Sequence, residues 1–289
     1  MASTSPACAS APMTSDSRRT HGNAAAPPAD SRPLLATLPS VPTPDAFAAV
    51  GSLEGVPSGM AAARAAIDAV LRDRGLRRSR PESTGESLLR GAVASARLAG
   101  VDASLDQARR GAGHPLLLAC VRTSTQLLGL VPVWSRSPLQ ALARLHAVLA
   151  AGLVPTEQLG RPTDPQGVAR LRELTAALSE PTVSPGLVVA ALVHAEVATA
   201  GAFGGVFDAL LGRAAERLVL VATGVDPASV TVPEEGHAQL KPAYEAGLGG
   251  YGGGTPGVQR WLLHAAQAYT IGARVGGVLV GARADGATG

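Results

Sequence analysis

The chain has 289 residues, enough for one or two domains with a sizeable core. Its 25 basic and 22 acidic residues leave a net charge of only +3, and no lysine-rich or aromatic-interleaved patch accompanies it, so we expect no DNA or RNA partner. Two cysteines far apart in the sequence, Cys8 and Cys120, exclude a disulfide framework. Residues 1–30 lack the apolar segment of a signal peptide, which predicts a cytoplasmic protein.

Composition divides the chain into three parts. Residues 1–55 are rich in alanine, serine, proline and threonine and cannot bury enough apolar surface to offset the entropy of ordering. We predict a disordered tail over residues 1–55, a helical domain over residues 56–282 and a frayed end over residues 283–289. Met13 lies inside the tail and leaves the start codon open.

Apolar residues at helical spacing predict the first helices of the domain. Ser58 is expected to cap a helix that ends at Gly75, and residues 76–81 are expected to form a solvated basic turn. Residues 86–110 read as an amphipathic helix. Residues 114–133 read as an apolar helix that is short for a membrane span, so no membrane partner is expected.

Two dipeptides in the middle of the chain place a cap residue and a first-turn proline in the order that begins a helix. They are Ser137-Pro138 and Asp164-Pro165. The chain around Asp164-Pro165 shows no clear hairpin. Residues 168–178 follow helical spacing instead.

The chain is organised around residues 184–221, which predict a helix, a glycine loop and a second helix. Ser184 is the expected cap, and His194 lies mid-helix as a satisfied core histidine. The second helix is expected to turn Arg213, Glu216 and Arg217 toward solvent. Glycines that open a helix can bind an anion through free N–H groups, and the alternative is a tight turn between helices.

The C-terminal third predicts a helix within residues 234–246, a mobile glycine loop over residues 247–257 and a final helix over residues 258–280. Tyr251 lies in that loop. No metal-spaced histidine or cysteine cluster, catalytic triad or dinucleotide fingerprint stands out, so no metal or resident cofactor is predicted.

The central stretch resembles the Fic (Fido) proteins, whose central helix reads A-x-x-H-A-x-x-x-x-x-H-P-F-x-[DE]-G-N-G-R-x-x-R. Matching positions here are Ala191, His194, Ala195, Thr199 and Phe203. The resemblance implies an all-α fold, a Fic-like helical bundle around a central helix–loop–helix, with the flap hairpin short or absent. It also implies transfer of AMP or a related group onto protein hydroxyls.

The residues that carry that chemistry do not match. The family's catalytic histidine falls on Gly201, its acidic metal ligand on Gly205, and its G-N-G-R segment on residues 206–209. The final arginine corresponds to Arg213 if one extra residue is allowed. The resemblance therefore leaves four candidate nucleotide-binding residues: Phe203, Gly204, Gly205 and Arg213.

A second resemblance concerns the inhibitory helix of many Fic proteins, [ST]-x-x-x-E-[GN], whose glutamate pairs with the final arginine. Ser95 and Gly100 match its ends, but Ala99 stands at the glutamate position. The segment thus resembles an inhibitory helix without its charge. This loss is consistent with a protein that has no activity left to restrain.

Three functions stay open at this stage. The first is a degenerate Fic-fold protein that acts by binding or regulation, with a protein partner or with a nucleotide held without transfer. The second is an AMP-transferase that uses ATP and Mg²⁺ with substituted residues, His194 and Asp208 among them. The third is a helical scaffold with no nucleotide role. Homo-oligomer formation is left open.

Overall fold

A computed structural model describes Met1, residues 45–73 and residues 76–286, without the side chains of residues 77–80 and 282–286. The chain divides into Met1–Asp30, of which only Met1 is described, and Ser31–Gly289. Every regular element in the described ranges is helical, which confirms the all-α prediction. An isolated bridge joins Ala151 to Val154. The predicted disorder of residues 2–44 lies outside the described residues.

The first half of the domain consists of helices joined by short turns. They are α1 (Ala46–Gly51), α2 (Val56–Leu71), α3 (Leu76–Leu98), α4 (Leu105–Arg109), α5 (Pro115–Leu127), α6 (Val131–Trp134) and α7 (Pro138–Ala150), with 3-10 turns at Leu128–Leu130 and Thr156–Gln158. The predicted cap at Ser58 is wrong, because Gly55, at φ +77°, holds the N-cap position and α2 begins at Val56. The expected basic turn is also wrong, since residues 76–81 form the first turns of α3.

Helix α1 lies inside the segment predicted as a tail. Asp45 caps it by accepting hydrogen bonds from the Phe47 and Ala48 N–H groups. Phe47 and Val50 are buried in the core. The Thr182 hydroxyl and the Val183 N–H also donate to this carboxylate. These two bonds fix α1 to the segment just before the central helix.

The second half holds α8 (Pro165–Ser179), α9 (Gly186–Thr199), α10 (Val206–Ala222), α11 (Pro233–Gln239), α12 (Lys241–Gly249) and α13 (Thr255–Gly286). The cap at Asp164 is confirmed, because its Oδ2 accepts the Gly167 N–H at 2.6 Å. Ser184 is not a cap: Pro185 holds that position. The final helix begins at Thr255, three residues before the predicted start.

Helices α9 and α10 form the centre of the domain and pack against each other. Residues 187–197 of α9 are all buried, as expected for a helix that is apolar nearly all round. Glycines permit the closest approaches. A Cβ on Gly212 would meet the His194 carbonyl at 2.7 Å, and a Cβ on Gly236 would meet the Ala268 carbonyl at 2.0 Å. These contacts draw α10 onto α9 and α11 onto α13.

The run Pro115–Trp134, which spans α5 and α6, is long and apolar enough to cross a membrane by length and composition alone. A core helix passes the same test. In this fold Leu117, Cys120, Leu127 and Trp134 are buried, and α5 packs against α3 and α7.

Candidate functional site

The loop between α9 and α10, residues 200–205, is bent by glycines in the left-handed region. Their φ angles are +74° at Gly201, +92° at Gly204 and +45° at Gly205. All three are exposed. A Cβ on any of them would point into open space, so the backbone angle and not crowding favours glycine here. The loop therefore offers backbone N–H groups and no side-chain chemistry at these positions.

Asp208, in the first turn of α10, fills the inside of this loop. Its Oδ1 accepts the Phe203 N–H at 3.0 Å. The N–H groups of Ala202 and Gly204 also stabilise its charge, although burial outweighs them and raises the pKa of the carboxyl. Asp208 is only 2% exposed, and its Oδ2 is enclosed without a hydrogen bond. The chain thus supplies its own anion to the loop at a helix N-terminus, where negative charge is favoured.

The rest of the loop is fixed by α7 and α8. The Phe203 ring lies 4.6 Å from the His146 ring, between centroids. His146 is buried, and its Nδ1 accepts the Gly160 N–H, so this ring packs beneath the loop. On the other side a Cβ on Gly167 would lie 2.6 Å from the Ala202 backbone, so α8 leaves the loop no room to move inward.

Arg213 was expected on the solvent side of α10, and that expectation is wrong. The side chain is 2% exposed. Its Nε donates to the Ser95 hydroxyl and its Nη2 to the Ser95 carbonyl, both at 3.2 Å, while Nη1 donates to the Tyr244 hydroxyl at 2.7 Å. Arg213 therefore does contact the segment that resembles an inhibitory helix, and the neutral Ser95 accepts its hydrogen bonds there.

The other two members of that segment have conformational roles. Gly100, at φ +84°, follows the end of α3. The Val101 N–H then bonds back to the Ala96 carbonyl at 3.0 Å, which closes the helix in the manner of a Schellman motif. Ala99 is half-buried against the core and brings no charge to Arg213.

Arg217 is buried as well, again against expectation. It forms a two-pronged ion pair with Glu234, at 2.9 Å from Nε to Oε1 and 2.5 Å from Nη2 to Oε2. Its Nη1 donates to the Ser87 and Ser229 hydroxyls and to the Thr231 carbonyl. These bonds join α3, α10 and the start of α11, so the buried ion pair holds together elements that are distant in the sequence.

A second set of buried polar residues lies at the C-terminal end of α9. The Tyr251 hydroxyl donates to Glu196 at 3.0 Å, and Arg170 donates to the same carboxylate and to the Thr199 carbonyl. Burial raises the pKa of Glu196, and Arg170 opposes that rise. Tyr251 is 1% exposed, so the prediction of a mobile loop around it is wrong. Its hydroxyl has a buried partner that the surrounding glycines gave no sign of.

Behind the loop lies a buried polar group that we call the histidine cluster: His194, Glu216, His237, Tyr244, His264 and Tyr269. Glu216 is its centre. It is approached by His194 Nδ1 at 3.2 Å, by His237 Nε2 at 3.1 Å and by the Tyr269 hydroxyl at 2.8 Å. The far nitrogens are also contacted, with His194 Nε2 3.2 Å from the Tyr244 hydroxyl and His237 Nδ1 3.0 Å from His264 Nε2.

Burial and charge set the protonation of the cluster. Burial lowers the pKa of His194 to about 4, despite the Glu216 carboxylate beside it, and lowers that of His264 to about 3. Burial alone would raise the pKa of Glu216, but the two adjacent histidines hold it far below its usual range. At neutral pH the cluster therefore contains the Glu216 carboxylate and the neutral imidazoles of His194 and His264.

The structure separates the predicted site residues into two groups. Gly201, Phe203, Gly204, Gly205 and Asp208 belong to the loop. Two others, His194 and Arg213, are buried behind the loop. Sequence reasoning missed Glu216 and His237 as partners of His194, because they come from other helices and no motif spacing links them. The available signal was an apolar helix carrying a histidine together with a following helix carrying an internal glutamate.

Comparisons with known proteins agree with this architecture. No family model matches the sequence, and no curated protein does. The crystal structure of a Fic family protein from Desulfovibrio desulfuricans G20, at 2.70 Å resolution, aligns with a TM-score of 0.63 and 17% sequence identity over 77% of this chain and 74% of that one. At this identity the likeness shows the fold: the chain is folded like a Fic family protein, as the central helix–loop–helix predicted.

Proposed function

We propose that this protein is a catalytically inactive Fic-fold protein that acts by binding a partner protein, and that it neither transfers AMP nor holds a nucleotide. The observation that carries the proposal is the position of Asp208. Its carboxylate accepts from the loop N–H groups that a bound phosphate would need. A phosphate at the same place would have to displace the Asp208 carboxyl group from the Phe203 N–H.

The missing base supports the same conclusion. Transfer to a hydroxyl requires a group that takes its proton. Gly201 stands at the position where the resemblance places that group, and glycine has no such side chain. His194 does not replace it, because its ring is fully buried and lies between Tyr244 and Glu216. A target hydroxyl on another protein cannot reach a ring enclosed in this way.

The arginine gives a third line of support. Arg213 makes its hydrogen bonds to Ser95 and Tyr244 inside the domain. The cavity next to its partner Ser95, which Arg217 and not Arg213 lines, has a volume of about 30 Å³, the scale of a single water molecule. Nucleotide-sized pockets are roughly ten times larger or more. Binding of ATP at this arginine would require the helices around it to separate.

The test is a calorimetric titration of the full chain with ATP and Mg²⁺, run beside a transfer assay with ATP labelled at the α-phosphate. We expect no binding heat and no label transfer at millimolar ATP. The Asp208→Ala variant empties the loop and is expected to gain weak, millimolar phosphate and ATP binding without gaining transfer. Asp106→Ala, which removes an exposed carboxylate from the first turn of α4, is the matched control and should stay silent.

Two results would contradict the proposal. Label transfer by the wild-type chain would establish the transferase alternative, with substituted residues in place of the lost base. Micromolar ATP binding by the wild-type chain without transfer would establish a nucleotide-binding protein instead.

A second experiment tests for the partner protein. The full chain and the Asp208→Ala variant serve as paired baits in cross-linking mass spectrometry of native extract. The proposal expects the same specific partner with both.

A further inference from the structure

Three central helices bring three metal-binding side chains to one point in the core. His194 comes from α9, Glu216 from α10 and His237 from α11, and each is 0% exposed. Their donor atoms, His194 Nδ1, a Glu216 oxygen and His237 Nε2, all lie within 4.8 Å of one another. We propose that these three residues bind a structural Zn²⁺ ion. Two imidazoles and a carboxylate are donors that zinc prefers.

The spacing of the donors suits such an ion. Zinc holds its ligands at about 2.0–2.1 Å in a tetrahedron, which sets neighbouring donors roughly 3.3 Å apart. His194 Nδ1 and His237 Nε2 each lie 3.2 Å from the same carboxylate oxygen, Glu216 Oε1. The Tyr269 hydroxyl lies 2.8 Å from Glu216 Oε1 and is available for the fourth position.

A separate observation distinguishes this site from an ordinary hydrogen-bonded core. His194 Nδ1 is enclosed in the protein and faces the Glu216 carboxylate, but it makes no well-directed hydrogen bond to it. It lies 3.2 Å from a carboxylate oxygen, so the direction of the ring and not the distance prevents the bond. A buried ring nitrogen without a partner costs free energy unless something else satisfies it. A cation among the three donors would do so, with the nitrogen acting through its lone pair.

The surroundings also match those of a metal site. Histidines that bind metals have their second nitrogen held by a neighbouring polar group, which fixes the ring. His194 Nε2 is held by Tyr244, and His237 Nδ1 is held by His264. The Trp261 ring stacks on His237 with an interplanar angle of 8°, which supplies an apolar wall. Both ligand rings are therefore oriented before any ion arrives.

The position of the site indicates what the ion does. No donor is exposed, so no place is open for a substrate, and a closed site of this kind is structural. The ion would enter as the chain folds and would join α9, α10 and α11 behind the glycine loop. The inference does not rest on the proposed function, because none of its ligands belongs to the loop that contains Asp208.

The experiment uses the full chain expressed in zinc-supplemented medium, dialysed and analysed by plasma mass spectrometry. One zinc ion per chain is expected. After exchange for Co²⁺, the wild-type protein should show the intense visible absorption of a four-coordinate site. Removal of zinc with a chelator should lower the melting temperature, and stoichiometric Zn²⁺ should restore it while Mg²⁺ should not.

Variants assign the ligands. Glu216→Gln and His237→Gln should lose the ion. His264→Gln should keep it with an affinity reduced about 10- to 100-fold, as for other groups that orient a ligand. His146→Gln, which alters a buried histidine outside the cluster, is the control and should keep one ion per chain. If the ligand variants do not fold, the Co²⁺ spectrum of the wild-type chain decides.

The inference is overturned if the wild-type chain contains far less than one zinc per molecule and shows no Co²⁺ band after refolding with the metal. The same residues would then form a metal-free network in which Glu216 accepts from Tyr269 and His237.

Discussion

Replacing Glu234 by glutamine removes the negative charge of the buried Arg217–Glu234 ion pair and leaves the positive charge in place. Arg217 is 2% exposed and Glu234 is 5% exposed, and they share two short hydrogen bonds. Burial disfavours the charged guanidinium, but the Glu234 carboxylate raises the pKa of Arg217 above its ordinary value. The variant therefore keeps a cation in the core whose remaining hydrogen-bond partners, from Ser87, Ser229 and Thr231, are neutral. Asp226 and Glu216 still stabilise its charge, but neither replaces the two hydrogen bonds of Glu234.

Breaking a buried ion pair costs about 3–5 kcal/mol. Glutamine preserves the volume of the side chain and one acceptor oxygen, so we expect about 3 kcal/mol, near the lower end. For a domain of this size the melting temperature should fall by roughly 6–12 °C. The free energy of unfolding is measured by urea titration, followed by circular dichroism at the helical band.

The control is Glu245→Gln, in which the exposed pair with Lys241, at 3.8 Å, is removed. Exposed pairs of this kind contribute about 0–1 kcal/mol, so this variant should remain close to the wild type. The double variant Arg217→Met/Glu234→Leu removes both charges and should recover part of the loss. A Glu234→Gln variant as stable as Glu245→Gln would refute the reasoning, because it would mean that Arg217 does not depend on its partner.

Two further predictions concern the loop and its carboxylate. Gly167→Ala places a Cβ 2.6 Å from the Ala202 backbone and should destabilise the chain by about 1–3 kcal/mol, whereas Gly85→Ala, on α3 with nothing within 4 Å, should be neutral or stabilising; thermal melts compare the two. Burial raises the pKa of Asp208 above its unfolded value of 3.8, so its contribution to stability is complete below that pH and is lost as pH rises through the folded pKa. Unfolding titrations at pH 4 and pH 7 should thus show Asp208→Asn gaining stability relative to the wild type at the higher pH, and a difference that does not change with pH would contradict the assigned pKa direction.

Much of the fold could be predicted from local sequence signals. Apolar spacing located the central helices, and the glycine run located the loop between them. The cap at Asp164 followed from its position before Pro165. Such features depend on residues a few positions apart, which is the range over which capping and periodicity act.

Three of the errors share one physical cause: the polar side chains of Arg213, Arg217 and Tyr251 were not expected to be buried. Arg217 is buried because Glu234 lies 17 residues further along the chain, and Arg213 is buried because Ser95 lies 118 residues before it. Tyr251 is buried because Glu196 receives its hydroxyl from a distance of 55 residues. A polar side chain can be buried where it finds a partner, and a partner that comes from a distant helix leaves no trace in local spacing.

The sequence predicted where the candidate site lies, but not that the Asp208 side chain would occupy it. The resemblance located the loop at residues 201–205 and the loss of its base at Gly201. It gave no sign that Asp208 would turn inward onto Phe203, because a first-turn acidic residue is equally common as an exposed helix-dipole partner.

The most direct test of the central claim is the titration of the wild-type full chain with ATP and Mg²⁺ in parallel with its Asp208→Ala variant. The account predicts no binding by the wild type and millimolar binding by the variant, since the loop is closed only by its own carboxylate. Micromolar binding by the wild type, or no gain in the variant when its helical content is unchanged, would contradict it.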